Sequence, residues 1–150
     1  MNSNTFFRWA LILGAFAGLS FAQAQQMPRM ELQAGFYRIE AEVAATQSHR
    51  IVGLMQRQRL GANQGMLFVF TETARHCMWM KNTLIPLSVA FLDEEGRIVS
   101  LSDMQPQTEN SHCAAAPVRY ALEMNQGWFS AKGIKPGMKI DGLQHAPRPQ

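Results

Sequence analysis

From Phe36 the pattern "FYRIEAEVAAT" sets Ile39, Ala41 and Val43 against Arg38, Glu40 and Glu42. That period of two predicts a half-buried strand. In "HRIVGLMQRQRL", Ile51, Leu54 and Met55 fall at helical spacing, with Thr46 or Ser48 available as a cap and Gly61 as a stop; one short helix is expected there. Arg50 and Arg57, two helical turns apart, would share a face of it. "GMLFVF", Gly65 to Phe70, is a continuous apolar run of the length expected for a strand buried on both faces. In "HCMWMK" the alternation sends Met78 and Met80 to one side and Cys77, Trp79 and Lys81 to the other.

"SVAFLDEEGRIVSL" reads as a hairpin, with Asp93 suited to open a type I turn and Gly96 able to close it in the left-handed conformation. A polar stretch from Asp103 to Pro117 predicts a mobile loop. "VRYALEM" then alternates Val118, Tyr120, Leu122 and Met124 against Arg119, Ala121 and Glu123. "QGWFSAKG" suggests a short helical turn ended by Gly133, and Pro136-Gly137 a turn into a last strand over 138–140. About six or seven short strands with one or two short helices predict a mainly β fold, a compact small barrel or sandwich.

The two ends change the organisation. Arg8, the apolar stretch from Trp9 to Phe21 and the small residues around Ala24 have the layout of a cleaved signal peptide over 1–24. The stretch is broken by Gly14, Gly18 and Ser20 and is shorter than the roughly 20 apolar residues of a bilayer span, so no transmembrane segment is expected after signal removal. Residues 25–35 read as a lead-in, 36–142 as a single domain and 143–150 as a disordered tail.

Loss of the signal removes one of the 14 basic residues and none of the 11 acidic ones, taking the formal charge from +3 to +2. No block of basic residues argues for nucleic acid or an anionic surface. The two cysteines, Cys77 and Cys113, lie in the exported part of a chain bound for an oxidising periplasmic or extracellular space, so a disulfide between them is expected. Closing that loop is worth roughly 4 kcal/mol in the chain-entropy model.

The segments "GLM", "GMLFVF", "WMKNTLIPL", "VAFLDEEGRIVSL", "YALEMNQGW" and "GIKPGMKI" occur in an order that resembles the Domain of Unknown Function 192 family, small and often exported bacterial and archaeal proteins. The resemblance runs from about Ile39 to Ile140, and Trp79 to Leu87 is its most specific part. It implies a compact, mainly β domain with one conspicuous helix, and no defined activity. Matching positions are Arg50, Gly53, Leu54, Met55 and Arg57, then Gly65 to Phe68, Trp79 to Thr83 with Pro86-Leu87, and Leu122-Glu123 with Gly127. Many relatives carry an aspartate after the Pro-Leu pair where this chain has Ser88. Any acid, base or ligand role of that aspartate is missing at this position.

Three chemistries compete for "HCMWMKNTLIPL". His76-Cys77-Met78 with His112-Cys113 would suit Cu(I). Neighbouring strand side chains point to opposite faces, however, so a disulfide with core methionines is preferred and no metal or other cofactor is expected. An enzyme acting on carbohydrate or cell-wall material would use Lys81, a lysine whose pKa burial could lower, with Glu123 or Asp103 as its partner. No triad order, HExxH helix, phosphate loop or paired-carboxylate motif accompanies them. The preferred expectation is a small-ligand-binding or envelope-accessory module. Trp79, Lys81, Asn82 and Thr83 would form its site for a polar or anionic ligand, and Arg50 and Arg57 would extend it. Against this stands the purely structural alternative, with Trp79 in the core and Asn82-Thr83 bonding the backbone of a turn.

Overall fold

The computed structural model describes residues 26–150; the signal-peptide segment lies outside them. Nine strands and two short helices follow in order: β1 (Arg29–Ala34), β2 (Tyr37–Ala44), α1 (Gln47–Val52), β3 (Gln64–Ala74), β4 (Cys77–Met78), β5 (Leu87–Leu92), β6 (Ile98–Met104), β7 (His112–Cys113), β8 (Val118–Asn125), α2 (Trp128–Ala131) and β9 (Ile140–Asp141). Seven of the strands form one curled sheet in the order β6-β5-β8-β3-β2-β1-β9, and β4 with β7 form a second, two-stranded sheet. All neighbours in the large sheet are antiparallel except β2 and β3, whose parallel pairing is made possible by the crossover through α1. A bridge between Arg97 and Lys139 brings the start of β6 to the chain entering β9. The two far edges of the sheet approach each other there, giving the half-barrel curl. The mainly β class expected from the alternation is therefore the class observed.

Alternate residues of the sheet serve two cores. Leu67, Val69, Leu122 and Met124 face one, with Ile39, Val43 and the α2 residues Trp128 and Phe129. Met66, Phe68, Val89, Phe91 and Ala121 face the other, which also takes Met104 from the end of β6 and is roofed by Leu54, Met80 and Ala114 from the loops. Burial on both faces is why β3 and β5 read as unbroken apolar runs. The roof over the second core, built from the turn after α1 and the two segments joined by β4 and β7, is where the candidate site lies.

Several local expectations change. Arg29–Ala34, within the lead-in by sequence, forms β1 and pairs residue for residue with β2 from Arg29↔Glu42 to Ala34↔Tyr37. The expected helix over 49–60 is shorter and starts earlier. Thr46 caps it, its hydroxyl accepting from the His49 amide at 3.1 Å, and Gly53 ends it at φ 46°. A side chain at Gly53 would meet the Phe68 ring at 3.1 Å, so the helix end rests directly on β3. The polar loop after Asp103 is tied down by backbone bonds from Met80 N to Thr108 O and from Gln107 N to Thr83 O, both at 3.0 Å, and by pairing of β7 with β4. After β9, a 3-10 turn at Leu143–His145 follows, and the Gln150 amide donates to the Ala45 carbonyl at 2.8 Å.

Candidate functional site

Glu123 is the residue around which the site is built. It sits in β8 opposite Met66 of β3 and Val89 of β5, on the face that alternates away from Leu122 and Met124. That face is the second core, and Glu123 is only 4% exposed there. No side-chain hydrogen bond or ion pair to it occurs among the described residues. Desolvation by this apolar setting pushes its carboxyl up to about 8, so at neutral pH it carries its proton.

Above Glu123 is a small chamber of about 30 Å³, lined also by Thr83, Met55, Met78, Trp79, Phe68 and the turn from Arg50 to Leu54. The chamber shares Arg50, Ile51, Phe68, Met78 and Trp79 with an outer groove of about 360 Å³. The groove continues over Phe70, Thr71, His76 and Cys77. His76 stacks on Phe70 with ring centroids 3.7 Å apart, giving the groove a flat aromatic wall, and Trp79, 48% exposed, stands at the entrance to the chamber. The groove walls are mostly apolar, with Gln47, Arg50, Thr71 and His76 as its polar members, and the chamber adds Thr83 and Glu123.

Each residue expected in the site has a definite place. Trp79 and Thr83 line the chamber with Glu123, and Arg50 borders both spaces. The Arg50 guanidinium donates to the carbonyls of Ala45, Val69 and Gln150 at 2.6, 3.0 and 3.0 Å, and burial lowers its pKa from the ordinary arginine value. Arg57 does not share its face. With the helix ended at Gly53, the chain turns and Arg57 binds both oxygens of Glu42 at 2.9 and 2.6 Å. This pairing is the main reason why the Glu42 carboxyl lies below its ordinary value. Lys81 lies outside the chamber lining; its ammonium is 3.5 Å from Glu109 and 5.3 Å from the Trp79 ring centroid. Asn82 is exposed in the left-handed region at φ 54°, and its carbonyl accepts from the Gln56 amide at 2.9 Å. Its place is that of a turn residue, which asparagine tolerates better than most. Met80 is fully buried and Met78 partly so, whereas Cys77, Trp79 and Lys81 are exposed, the division the alternation predicted.

Cys77 and Cys113 are bonded to each other and pair across the two-stranded sheet. Among the described residues no cluster of three or more His, Cys, Asp or Glu forms a metal-ligand set. Ser88 donates to Asp103 at 2.5 Å and accepts from the Gly127 amide at 2.9 Å. It therefore links β5, β6 and the start of α2. Asp103 is occupied there and does not line the Glu123 chamber.

Phe70, His76, Ile51 and Met78 complete the groove, and no spacing in the chain assigns them to it. Glu123 did carry a sequence signal: an acidic side chain inside a strand whose alternate positions are all apolar.

A curled, mainly β half-barrel sheet with a second, two-stranded sheet defines the class of domain. The chain belongs to the DUF192 family, Uncharacterized ACR, whose model matches residues 30–142. Two solved structures are similar. One is a protein from Sinorhizobium meliloti described provisionally as a transcription regulator, 34% identical, with a TM-score of 0.72, covering 77% of this chain and 92% of its own. The other is a protein of unknown function from Novosphingobium aromaticivorans, 30% identical, with a TM-score of 0.74, covering 80% and 89%. No curated protein matches the chain.

Proposed function

We propose that this protein is an exported small-ligand-binding domain whose site is the groove ending at Glu123. The observation that carries this reading is a buried carboxyl, with no side-chain hydrogen bond or ion pair among the described residues, lining a small chamber that shares five residues with a mostly apolar groove. Burying such a group without compensation costs free energy, roughly 1 to 3 kcal/mol for a neutral polar group, and a bound ligand offsets that cost. Trp79 supplies an exposed aromatic wall and Thr83 a second polar contact. Export into an oxidising space is supported by the Cys77–Cys113 disulfide and the signal-like first residues. No helix of the described residues is long and apolar enough to cross a membrane. Nucleic acid is not the proposed ligand. Arg29, Arg38 and Arg57, which a basic face would need, are engaged by Glu40, Glu31 and Glu42.

A second reading, an enzyme acting on carbohydrate or cell-wall material, is favoured by one property. A carboxyl that keeps its proton near neutral pH can act as a general acid. Glu123 would be that acid, without Lys81, which pairs with Glu109 instead.

A thermal-shift screen of sugars, cell-wall fragments, small acids and small amines tests the first reading. Stabilisation of the wild type that is lost in Trp79→Ala is expected. No stabilisation by any compound, or shifts unchanged in Trp79→Ala, overturns it. If a bound compound is turned over, and Glu123→Gln abolishes kcat while affinity is kept, the enzyme reading replaces it.

A further inference from the structure

The inner chamber sets several acceptors around one buried carboxyl. The Thr83 hydroxyl donates to the Lys81 carbonyl at 3.3 Å, which leaves its lone pairs free. Met55 and Met78 offer only thioether sulfurs, and ionised Glu123 offers two oxygens. Arg50, the cation on the rim, is committed to three backbone carbonyls. A volume of about 30 Å³ suits a compact head group. The outer 360 Å³, walled by Ile51, Phe68, Phe70, His76 and Trp79, suits an apolar or flat body.

We infer that the groove takes a primary amine with an apolar or aromatic body, its ammonium seated in the chamber against the Glu123 carboxylate and the Thr83 hydroxyl. This inference rests on the ligand-binding reading above and narrows it to one chemical class. An ammonium brings three donors and a positive charge to a buried carboxyl that has no side-chain partner among the described residues.

Binding is coupled to a proton. Free Glu123 holds one up to about pH 8; on binding, the carboxylic acid loses that proton to solvent and the carboxylate pairs with the ammonium, which keeps all of its own. Few other charges face the carboxyl. β3 and β5 present Met66 and Val89 beside it. The segment bearing Met78 and Trp79 adds Thr83, and α1 contributes Arg50. Glu42, on the far side of Met66 in the same row, is neutralised by Arg57, and Lys81 by Glu109. Affinity for the amine therefore rises with pH until Glu123 is ionised.

Three probes with one phenyl body and different heads separate the possibilities: phenethylamine, 2-phenylethanol and 3-phenylpropionate. Calorimetry on the disulfide-bonded protein at pH 6.5 and 8.5, in two buffers of different ionisation enthalpy, reads affinity and proton release. Phenethylamine is expected to bind more tightly than either analogue and roughly tenfold or more tighter at pH 8.5 than at 6.5, with a proton released at pH 6.5. Glu123→Gln should cost at least tenfold and abolish the pH dependence. Thr83→Val, which leaves the carboxyl in place, should weaken the amine but not the alcohol, and serves if Glu123→Gln fails to fold. Equal or tighter binding of the alcohol or the acid, or amine binding indifferent to both substitutions, overturns the amine assignment and leaves the binding groove standing. Absence of binding by all three probes overturns the amine assignment, and if the broader screen is also negative the ligand-binding reading falls with it.

Discussion

Glu123 and Glu42 lie in one row across the sheet, on either side of Met66, yet their carboxyls respond to pH in opposite senses. Burial raises Glu123 from 4.5 to about 8. Its contribution to stability is fully present below its unfolded pKa and is lost as pH rises through 8. At most this amounts to about 5 kcal/mol. Denaturant unfolding of the ligand-free protein should show stability falling between pH 5 and 8.5, and Glu123→Gln should flatten that slope. An unchanged slope in the variant would mean that the carboxyl is not buried as described. Glu42, held low chiefly by its hydrogen bonds from Arg57, contributes stability above its unfolded pKa that is lost as pH falls through its folded one. Because the Arg57 side chain is 39% exposed, Arg57→Ala should cost only about 1 kcal/mol at pH 7, and less in high salt. Trp79, half in solvent, should tolerate alanine with little loss of stability, a change within about 1 kcal/mol, while losing ligand.

Among the elements, α1 shows how local chemistry can defeat a periodic pattern. Ile51, Leu54 and Met55 have helical spacing, but Ile51 and Val52 are exposed and none of the residues of α1 is buried. Gly53 ends the helix because its backbone takes a positive φ and because any side chain there would press on Phe68. Gly53→Ala should therefore destabilise by roughly 1 to 2 kcal/mol, combining the strained φ with the close contact. It should also perturb the ligand groove, whose inner lining includes this turn. Tm and probe affinity measured together would check it, and an affinity loss with unchanged Tm would point to the turn alone. The strands tell the opposite story. β2, β3, β5, β6 and β8 were legible as alternating or unbroken apolar runs. β1 carries the same alternation in Met30, Leu32 and Ala34, but over so few residues that its pairing with β2 is what identifies it as a strand.

For the molecule as a whole, the disulfide joins the two roof segments above the second core, β4 and β7, each only two residues long. Strands this short have little pairing energy of their own, so the bond carries much of their association. Reduction, or Cys77→Ser with Cys113→Ser, should lower stability by about 2 to 4 kcal/mol in chemical unfolding. Probe affinity should fall as well, because Cys77, Met78 and Trp79 line the groove on the roof side. A stability loss with affinity intact would show that the roof keeps its place without the covalent link.

Residue types and their order were sufficient for the mainly β class, the hairpin between β5 and β6, the division of Met80 from Trp79 and Lys81, and the pairing of the only two cysteines. Each of these follows from short-range periodicity, turn chemistry or simple counting, which act within a few residues or need no geometry. The groove was decided by tertiary structure, because it joins α1, β3, β8 and the Met78–Thr83 segment, whose proximity depends on the parallel β2–β3 crossover and the curl of the sheet. For the same reason Lys81 and Arg57, conspicuous along the chain, find partners in Glu109 and Glu42. Glu123, inconspicuous in β8, is left buried without one: strand alternation could place it on a face, but only the packing of both faces could take it out of water.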